Sequence, residues 1–148
     1  MARLSIGTSG WHYTHWRGPY YPENMASDGM LDHYCRDFST VELNNSFYHL
    51  PAEETLRDWR KTVPDGFCFS VKASRYITHM KKLKDFEAPL ATFLERVGLL
   101  KDRLGPVLFQ LPPRWHFNPQ RLEAFLEGLP DGYRFVFEFR DPEWYDRR

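Results

Sequence analysis

Five short segments of the chain carry strand-like patterns of apolar and polar residues, and helix-like patterns separate them. The predicted strands cover residues 4–8, 41–48, 67–74, 106–113 and 134–140. Between them, apolar residues recur at the three- and four-residue spacing of a helix face. These predicted helices cover about residues 30–38, 51–63, 86–104 and 119–129. Strands that alternate with helices through connections of this length predict a parallel α/β protein.

A second pattern lies within the strands. One set of alternate residues is apolar throughout: Val41, Leu43, Phe67, Phe69, Val71, Val107, Phe109, Leu111, Phe135, Phe137 and Phe139. The other set collects polar side chains late in the strands: Glu42, Asn44, Ser70, Lys72, Gln110, Glu138 and Arg140, with Leu108 as the apolar exception. One face of the predicted sheet is therefore apolar, and the other is polar near the carboxyl ends of the strands.

This asymmetry discriminates between two α/β architectures. A doubly wound sheet needs apolar residues on both faces, because helices cover both. A TIM barrel has helices outside only, and its interior opens at the carboxyl ends of the strands. The pattern favours a TIM (β/α)8-barrel-like fold of which the chain supplies about the first five strands. The polar residues would form a site at the barrel opening or, alternatively, internal ion pairs that fill the barrel.

Composition and charge narrow the class of protein. The 148 residues suggest one domain, and 42% hydrophobic with 17% aromatic residues indicate a folded globular chain. Twenty basic and twenty acidic residues cancel, so no overall field attracts nucleic acid or a membrane. We find no signal peptide and no spanning segment, and Cys35 and Cys68 have no paired or metal-binding spacing. We expect a reduced, cytoplasmic protein.

Several separated motifs, in order, resemble the YecE-like family, known as domain of unknown function 72. They are GTSGW at 7–11 with the following Tyr13, Trp16 and YYP, VELNNSFY at 41–48, Lys72, THM at 78–80, FQLPP at 109–113 and FEFRDPEW at 137–144. The resemblance runs from about Leu4 to Trp144. It implies a TIM-barrel-like fold over residues 1–148 as one YecE-like domain, and it implies no established activity.

The chain departs from the family pattern in two respects. A TIM barrel typically needs roughly 250 residues, and only five predicted strands are present here, so the last three strands are expected to be missing. The family often reads EFRHPSW after the fifth strand, whereas Asp141 stands here in place of the histidine. We expect strand five to be an unpaired edge, and the isolated chain to be marginally stable or to associate with itself or with a missing half.

The polar residues near the strand ends are the candidate site. We assign possible catalytic roles to Glu42, Lys72 and Glu138, with the glutamates as a general base or as members of ion pairs. The predicted ligand-binding residues are Trp11, Asn44, Asn45, His79, Gln110 and Arg140. Lys72 and Arg140 would hold an anionic group while the amides orient the ligand. Each glutamate also has a basic partner within reach, Lys72 or Arg140, that would keep it ionised.

The same residue types also occur in the active sites of other enzyme classes. Glu42 and Glu138 resemble the paired carboxylates of glycosidases, but two strands separate them. Lys72 could form a Schiff base, although neighbouring glutamates favour ion pairing or anion binding instead. No HxH or HExxH spacing occurs, so we assign no metal ligands, and the cofactor is unknown. A metal site whose ligands come from several strands is the remaining alternative.

A different class of function is a non-catalytic binding module. The segment after the third strand carries Arg75, His79, Lys81, Lys82 and Lys84 around Tyr76, and such a patch can contact phosphates. It could equally be a solvated loop. The aromatic loop of Trp11, Tyr13, Trp16, Tyr20 and Tyr21 could stack a sugar or a base, or close one end of the barrel. The alternative to a small-molecule site is thus a site for nucleic acid or a phosphorylated ligand.

Overall fold

Five strands hydrogen-bond into one sheet in which every pairing is parallel. The computed structural model describes residues 4–146, and the outermost residues of the predicted domain, 1–3 and 147–148, lie outside the described residues. The strands are β1 (Thr8–Ser9), β2 (Thr40–Leu43), β3 (Cys68–Lys72), β4 (Leu104–Gln110) and β5 (Phe135–Glu138). Their spatial order is their order in sequence. The predicted parallel α/β class is confirmed.

Helices occupy the connections between the strands. The α-helices are α1 (Met30–Tyr34), α2 (Asn45–Tyr48), α3 (Glu53–Thr62), α4 (Glu87–Val97) and α5 (Pro119–Glu127). Short 3₁₀ turns cover Thr14–Trp16, Ser27–Gly29, Gly98–Arg103 and Pro142–Tyr145, and a π-helical turn covers Tyr76–Met80. Asn118 caps α5 as its sequence predicts, because its Oδ1 accepts a hydrogen bond of 3.0 Å from the Arg121 backbone N–H.

The predicted division of the sheet into two faces holds in the structure. Val41, Leu43, Phe69, Val71, Val107 and Phe109 are buried on one face, and Glu42, Ser70, Lys72, Leu108 and Gln110 are half-buried on the other. Aromatic contacts join the buried face to the helices, between Tyr34 and Phe67, Trp59 and Phe69, and Phe125 and Phe109. The helices therefore cover the apolar face. β1 and β5 are the two edges of the sheet in residues 4–146.

Tyr34 holds the short first strand in place. Its side chain is fully buried, and its hydroxyl accepts a hydrogen bond of 2.9 Å from the Thr8 backbone N–H while it donates to the Thr40 carbonyl at 3.0 Å. One hydroxyl thus joins β1 to the start of β2. The predicted strand at residues 4–8 is wrong in its bounds, since only Thr8 and Ser9 pair with β2.

The long helix predicted to end before Gly105 is also corrected. α4 ends at Val97, and a 3₁₀ turn leads directly into β4, so Gly105 lies within a strand. A Cβ atom at this position would lie 2.4 Å from Cys68 Sγ and 2.8 Å from the Phe69 carbonyl oxygen. The glycine therefore permits β4 to approach β3 closely, which is a different role from ending a helix.

We predict that replacing Phe109 by Ala destabilises the chain by about 3–5 kcal/mol, because its fully buried ring packs on Phe125, Phe135 and Phe137. The matched change Val136→Ala lies on the other face, where Val136 is 45% exposed, and should cost about 1 kcal/mol or less. Urea unfolding followed by circular dichroism measures both. Equal losses for the two variants would show that the sheet has no single core face.

Candidate functional site

The candidate site lies where the strands end, because parallel strands bring their carboxyl ends to one edge of the sheet. The segment VELNNSFY crosses this edge. β2 ends at Leu43 and Asn44 turns into helical backbone, with φ −91° and ψ −27°, so that α2 begins at Asn45. The prediction of a strand over residues 41–48 was therefore wrong in its second half. The physical reason is a local hydrogen bond, since Asn45 Oδ1 accepts from the Ser46 backbone N–H at 3.1 Å.

Ser46 fixes this turn to the neighbouring strand. Its buried hydroxyl lies 2.9 Å from the Leu43 carbonyl oxygen and 2.7 Å from the Lys72 carbonyl oxygen. The ends of β2 and β3 are thereby held together by one side chain. Sequence reasoning did not select Ser46, although a small polar residue within an apolar strand pattern is a signal for such a turn.

Three polar side chains, joined by hydrogen bonds, form the first group of the site. Asn44 Nδ2 donates to Ser9 Oγ, and Ser9 Oγ donates to Glu42 Oε1 at 3.1 Å. Ser9 is the last residue of β1, within the GTSGW motif, and was not among the predicted site residues. Its hydroxyl orients the Glu42 carboxylate. The expected ion pair between Glu42 and Lys72 does not form among the described residues, since Lys72 lies elsewhere.

An open cavity of about 650 Å³ adjoins this first group. It lies between the loop after β1, the end of β2 and α3. Four predicted site residues line it, namely Trp11, Glu42, Asn44 and Asn45. The volume is in the range of ligand pockets. The cavity therefore brings together nearly half of the residues that the sequence singled out.

Two further types of side chain complete the cavity wall. Asp28 and Asp58 add carboxylates, and Trp59 adds an indole ring whose centroid is 4.9 Å from that of Trp11 at an angle of 82°. Trp11 itself is buried, so its ring forms part of the wall and of the core together. Sequence reasoning missed these residues because Asp58 and Trp59 belong to a helix whose pattern predicts only packing.

Asn44 contributes an atom without a partner. Within residues 4–146, its Oδ1 is buried and accepts no hydrogen bond, while its Nδ2 is engaged by Ser9. A buried acceptor left unsatisfied costs about 1–3 kcal/mol. A ligand that donates a hydrogen bond to this oxygen would remove that cost.

Lys72 and His79 form a second group at the ends of β3 and of the following turn. Lys72 Nζ lies 4.9 Å from the Phe47 ring centroid, and the His79 ring meets the same phenyl ring edge to face at 5.0 Å. Phe47 is buried and supports both. The lysine thus makes a cation–π contact and keeps its ammonium hydrogens available to an anion.

Burial lowers the pKa of His79, and the positive charges of Arg75, Lys72 and Arg140 lower it further. Its Nδ1 lies 2.9 Å from Thr78 Oγ1, and the Thr78 hydroxyl donates to the Ser74 carbonyl at 3.2 Å. When the Thr78 hydroxyl donates to Ser74, its oxygen accepts from Nδ1–H of the neutral imidazole, and in that tautomer the lone pair lies on Nε2.

Gln110 at the end of β4, Glu138 at the end of β5 and Arg140 just beyond it form a third group. Gln110 Nε2 donates to Glu138 Oε2 at 2.9 Å, and Arg140 Nε lies 3.8 Å from Glu138 Oε1. The expected pairing of Glu138 with Arg140 is present. The charges of Lys72 and Arg140 both lower the pKa of His79, so the second and third groups are coupled electrostatically.

The two glutamates of the possible glycosidase pair lie on β2 and β5, with β3 and β4 between them. Each glutamate is also engaged separately, by Ser9 and by Gln110.

Comparison with protein-family models identifies the family of the chain. The family model described as "Protein of unknown function DUF72" matches residues 5–148. The chain belongs to the DUF72 family. The YecE-like resemblance seen in the sequence is consistent with this assignment, and the family description names no reaction.

Relatives of the DUF72 chain support the same conclusion. It is 30% identical to the UPF0759 protein YunF of Bacillus subtilis over 151 residues, which cover 96% of the chain and 52% of YunF. A DUF72 family crystal structure from Thermotoga maritima is 31% identical, with a TM-score of 0.80 over 97% of this chain and 58% of that one. The chain thus spans about half the length of these relatives.

A more distant structure shows the fold alone. A DUF72 family protein of Enterococcus faecalis superposes with a TM-score of 0.69 at 22% identity, and it covers 82% of this chain and 51% of that one. Among residues 4–146, no helix combines the length and apolar character that crossing a membrane requires.

We predict that His79 titrates below the usual imidazole pKa of about 6.5 and that Arg140→Gln moves its pKa upward. The folded state then binds the His79 proton more weakly than the unfolded chain. This site therefore lowers stability as the pH falls from about 6.5 through the folded-state pKa, and it has no effect above that range. NMR titration of the imidazole carbons measures the shift.

Arg57→Gln is the matched control for this titration, since Arg57 is an exposed arginine paired with Glu53 on α3. It should leave the His79 pKa unchanged. A His79 pKa at or above 6.5 in the unmodified chain, or one that both variants move equally, would contradict the electrostatic account.

Proposed function

We propose that the carboxyl-end edge of the sheet binds a small polar ligand that carries an anionic group. The observation that carries the proposal is the buried, unpartnered Oδ1 of Asn44 beside a cavity lined by Glu42 and Asn45. A pocket with acceptors that lack donors is matched by a ligand with hydroxyl or amino donors. The polar body of the ligand would lie in this cavity, and Trp11 would contact its apolar side.

The anionic group would be held by the positive side chains nearby. The positive charges of Arg75, Lys72 and Arg140 all lower the pKa of the same imidazole. Their mutual repulsion is relieved by a bound anion, in addition to the single carboxylate that Glu138 supplies to Arg140. Gln110 would orient Glu138 rather than contact the ligand through its donated N–H.

If the bound ligand reacts, Glu42, Lys72 and Glu138 are the residues proposed to act on it. Glu42, oriented by Ser9, would be the general base, and Lys72 would stabilise negative charge rather than form a covalent bond. Glu138 is an ion-pair member with Arg140. The proposal names neither a reaction nor a cofactor.

We also infer the finer architecture that this site requires. Sequential strand order and helices on a single face are the properties of strands wound as in a TIM barrel. Residues 1–148 would form one domain that corresponds to the first five βα units, with the polar face directed into the barrel.

Binding of nucleic acid stays a prediction. The structure of the basic segment adds no support for it. Lys81 Nζ lies 3.2 Å from Asp85, which raises the lysine pKa and partly neutralises the patch. A π-helical turn occupies part of the segment, so it is not the simple loop that the sequence predicted.

The test uses ribose 5-phosphate as the probe and ribose as its neutral counterpart. Trp11 and Trp59 line the cavity, so tryptophan fluorescence reports binding. We expect saturable binding of the phosphate that Lys72→Gln weakens about 10- to 100-fold, since a hydrogen bond to a charged group contributes about 1.5–3 kcal/mol. Lys84→Gln, an exposed lysine of the basic segment, is the matched control and should bind normally.

Three outcomes would contradict the proposal. They are no saturable binding of ribose 5-phosphate, equal binding of ribose, and equal losses in the Lys72 and Lys84 variants. Salt-dependent binding of an oligonucleotide that is lost when Lys81, Lys82 and Lys84 are neutralised, and kept in Glu42→Gln, would favour the nucleic-acid alternative.

A further inference from the structure

A cluster of three potential metal ligands lies outside the groups described above. It joins the segment after β4, which contains His116, to the segment after β5, which contains Asp141 and Glu143. His116 Nδ1 is 3.3 Å from Asp141 Oδ2 and 3.3 Å from Glu143 Oε1, and all three atoms lie within 4.8 Å of one another. From the geometry of these atoms we propose a binding site for a divalent transition-metal ion.

The electronic character of the three atoms supports a cation between them. Two carboxylate oxygens lie close to one imidazole nitrogen. Either an Nδ1–H that donates to the carboxylates or a positive ion bound by all three atoms makes this arrangement favourable. An imidazole with two carboxylates is a ligand set for zinc, manganese or iron, whereas magnesium and calcium prefer oxygen ligands alone.

The remaining carboxylate oxygens are fixed by backbone groups. Asp141 Oδ1 accepts from the Glu143 backbone N–H at 3.0 Å, and Glu143 Oε2 accepts from the Phe117 backbone N–H at 3.1 Å. Each carboxylate therefore uses one oxygen for orientation and directs the other toward His116. Outer hydrogen bonds of this kind position the ligands of metal sites.

The cluster is built on a rigid support and is open on one side. The indole rings of Trp115 and Trp144 stack at 4.8 Å, and Trp144 Nε1 donates to the Trp115 carbonyl oxygen at 2.8 Å. The Asp141 side chain is 7% exposed, whereas the His116 side chain is 73% exposed. Three protein ligands with a solvent-facing side leave coordination positions free for water or a ligand.

The distances are compatible with one shared ion. Metal bonds of about 2.1 Å at angles between the octahedral and tetrahedral values separate ligand atoms by about 3.0–3.4 Å, and both imidazole–carboxylate pairs fall there. The carboxylate oxygens of Asp141 and Glu143 would have to approach each other. Rotation of the Glu143 side chain, which is 55% exposed, allows this.

Sequence reasoning missed this site because no local spacing marks it. His116 and Asp141 are separated by α5 and β5, and only the fold places them together. Asp141 stands where the resemblance led us to expect a histidine.

The test is calorimetric titration of the full, untagged, chelator-treated chain with Zn²⁺. We expect one saturable site per chain. His116→Gln and Asp141→Asn should each weaken it by more than about 100-fold, since loss of even an outer-shell partner typically costs 10- to 100-fold. His49→Gln, which removes another exposed histidine, is the matched control and should bind normally.

Both test variants should fold, which circular dichroism checks. His116 is largely exposed, and asparagine at position 141 keeps the Oδ1 acceptor that caps the following turn. Absence of saturable Zn²⁺ binding would overturn the proposal. Unchanged binding in both folded variants would also overturn it, because the ion would then lie elsewhere. Neither result depends on whether ribose 5-phosphate binds.

Discussion

The constraint on which the structure depends is that every strand runs in the same direction and pairs with its neighbour in sequence. Each connection must then return across the sheet, and with a common handedness the helices lie on one face. That face takes the apolar half of each strand, and the other face is left to polar side chains. The carboxyl ends of all five strands meet at one edge as a consequence.

Three side-chain groups use this edge in different ways. The Ser9, Glu42 and Asn44 group borders a cavity and leaves an acceptor without a partner. The Lys72 and His79 group is positive and rests on the Phe47 ring. In the third group, the positive charge of Arg140 lies beside the carboxylate of Glu138. The first group suits the hydroxyl groups of a ligand and the second suits its charge, which is why one polar anionic molecule is the proposed occupant.

The fold was predictable to the extent that it follows from local periodicity. Alternation identified the buried residues of β2, β3 and β4 correctly, because the two-residue period is a property of the strand itself. The end of β2 was not predictable in this way. Phe47 and Tyr48 suit a strand, and the turn after Asn44 depends on the Ser46 hydroxyl, which lies within hydrogen-bond distance of Leu43 at the end of β2 and of Lys72 on the neighbouring strand. The place of Gly105 was not predictable from local periodicity either. The residue lies in β4, where a Cβ atom would collide with Cys68 on the neighbouring strand.

For the site, the sequence could name residue types and a common edge but not their partners. It predicted Lys72 beside Glu42, yet the aromatic ring of Phe47 lies under the lysine and Ser9 binds the glutamate. Arg140, one of the two basic partners that the sequence offered for the glutamates, does lie beside Glu138, because the two residues are close along the chain. The cluster of His116, Asp141 and Glu143 has no such local basis, since it depends on the relative position of two loops.

The most direct test of the central claim is amide chemical-shift mapping by NMR during titration with ribose 5-phosphate. If the carboxyl-end edge is the binding site, the largest shifts should fall at Ser9, at residues 42–45 and at Lys72. Shifts confined to residues 81–84, or distributed evenly over the sheet, would contradict it.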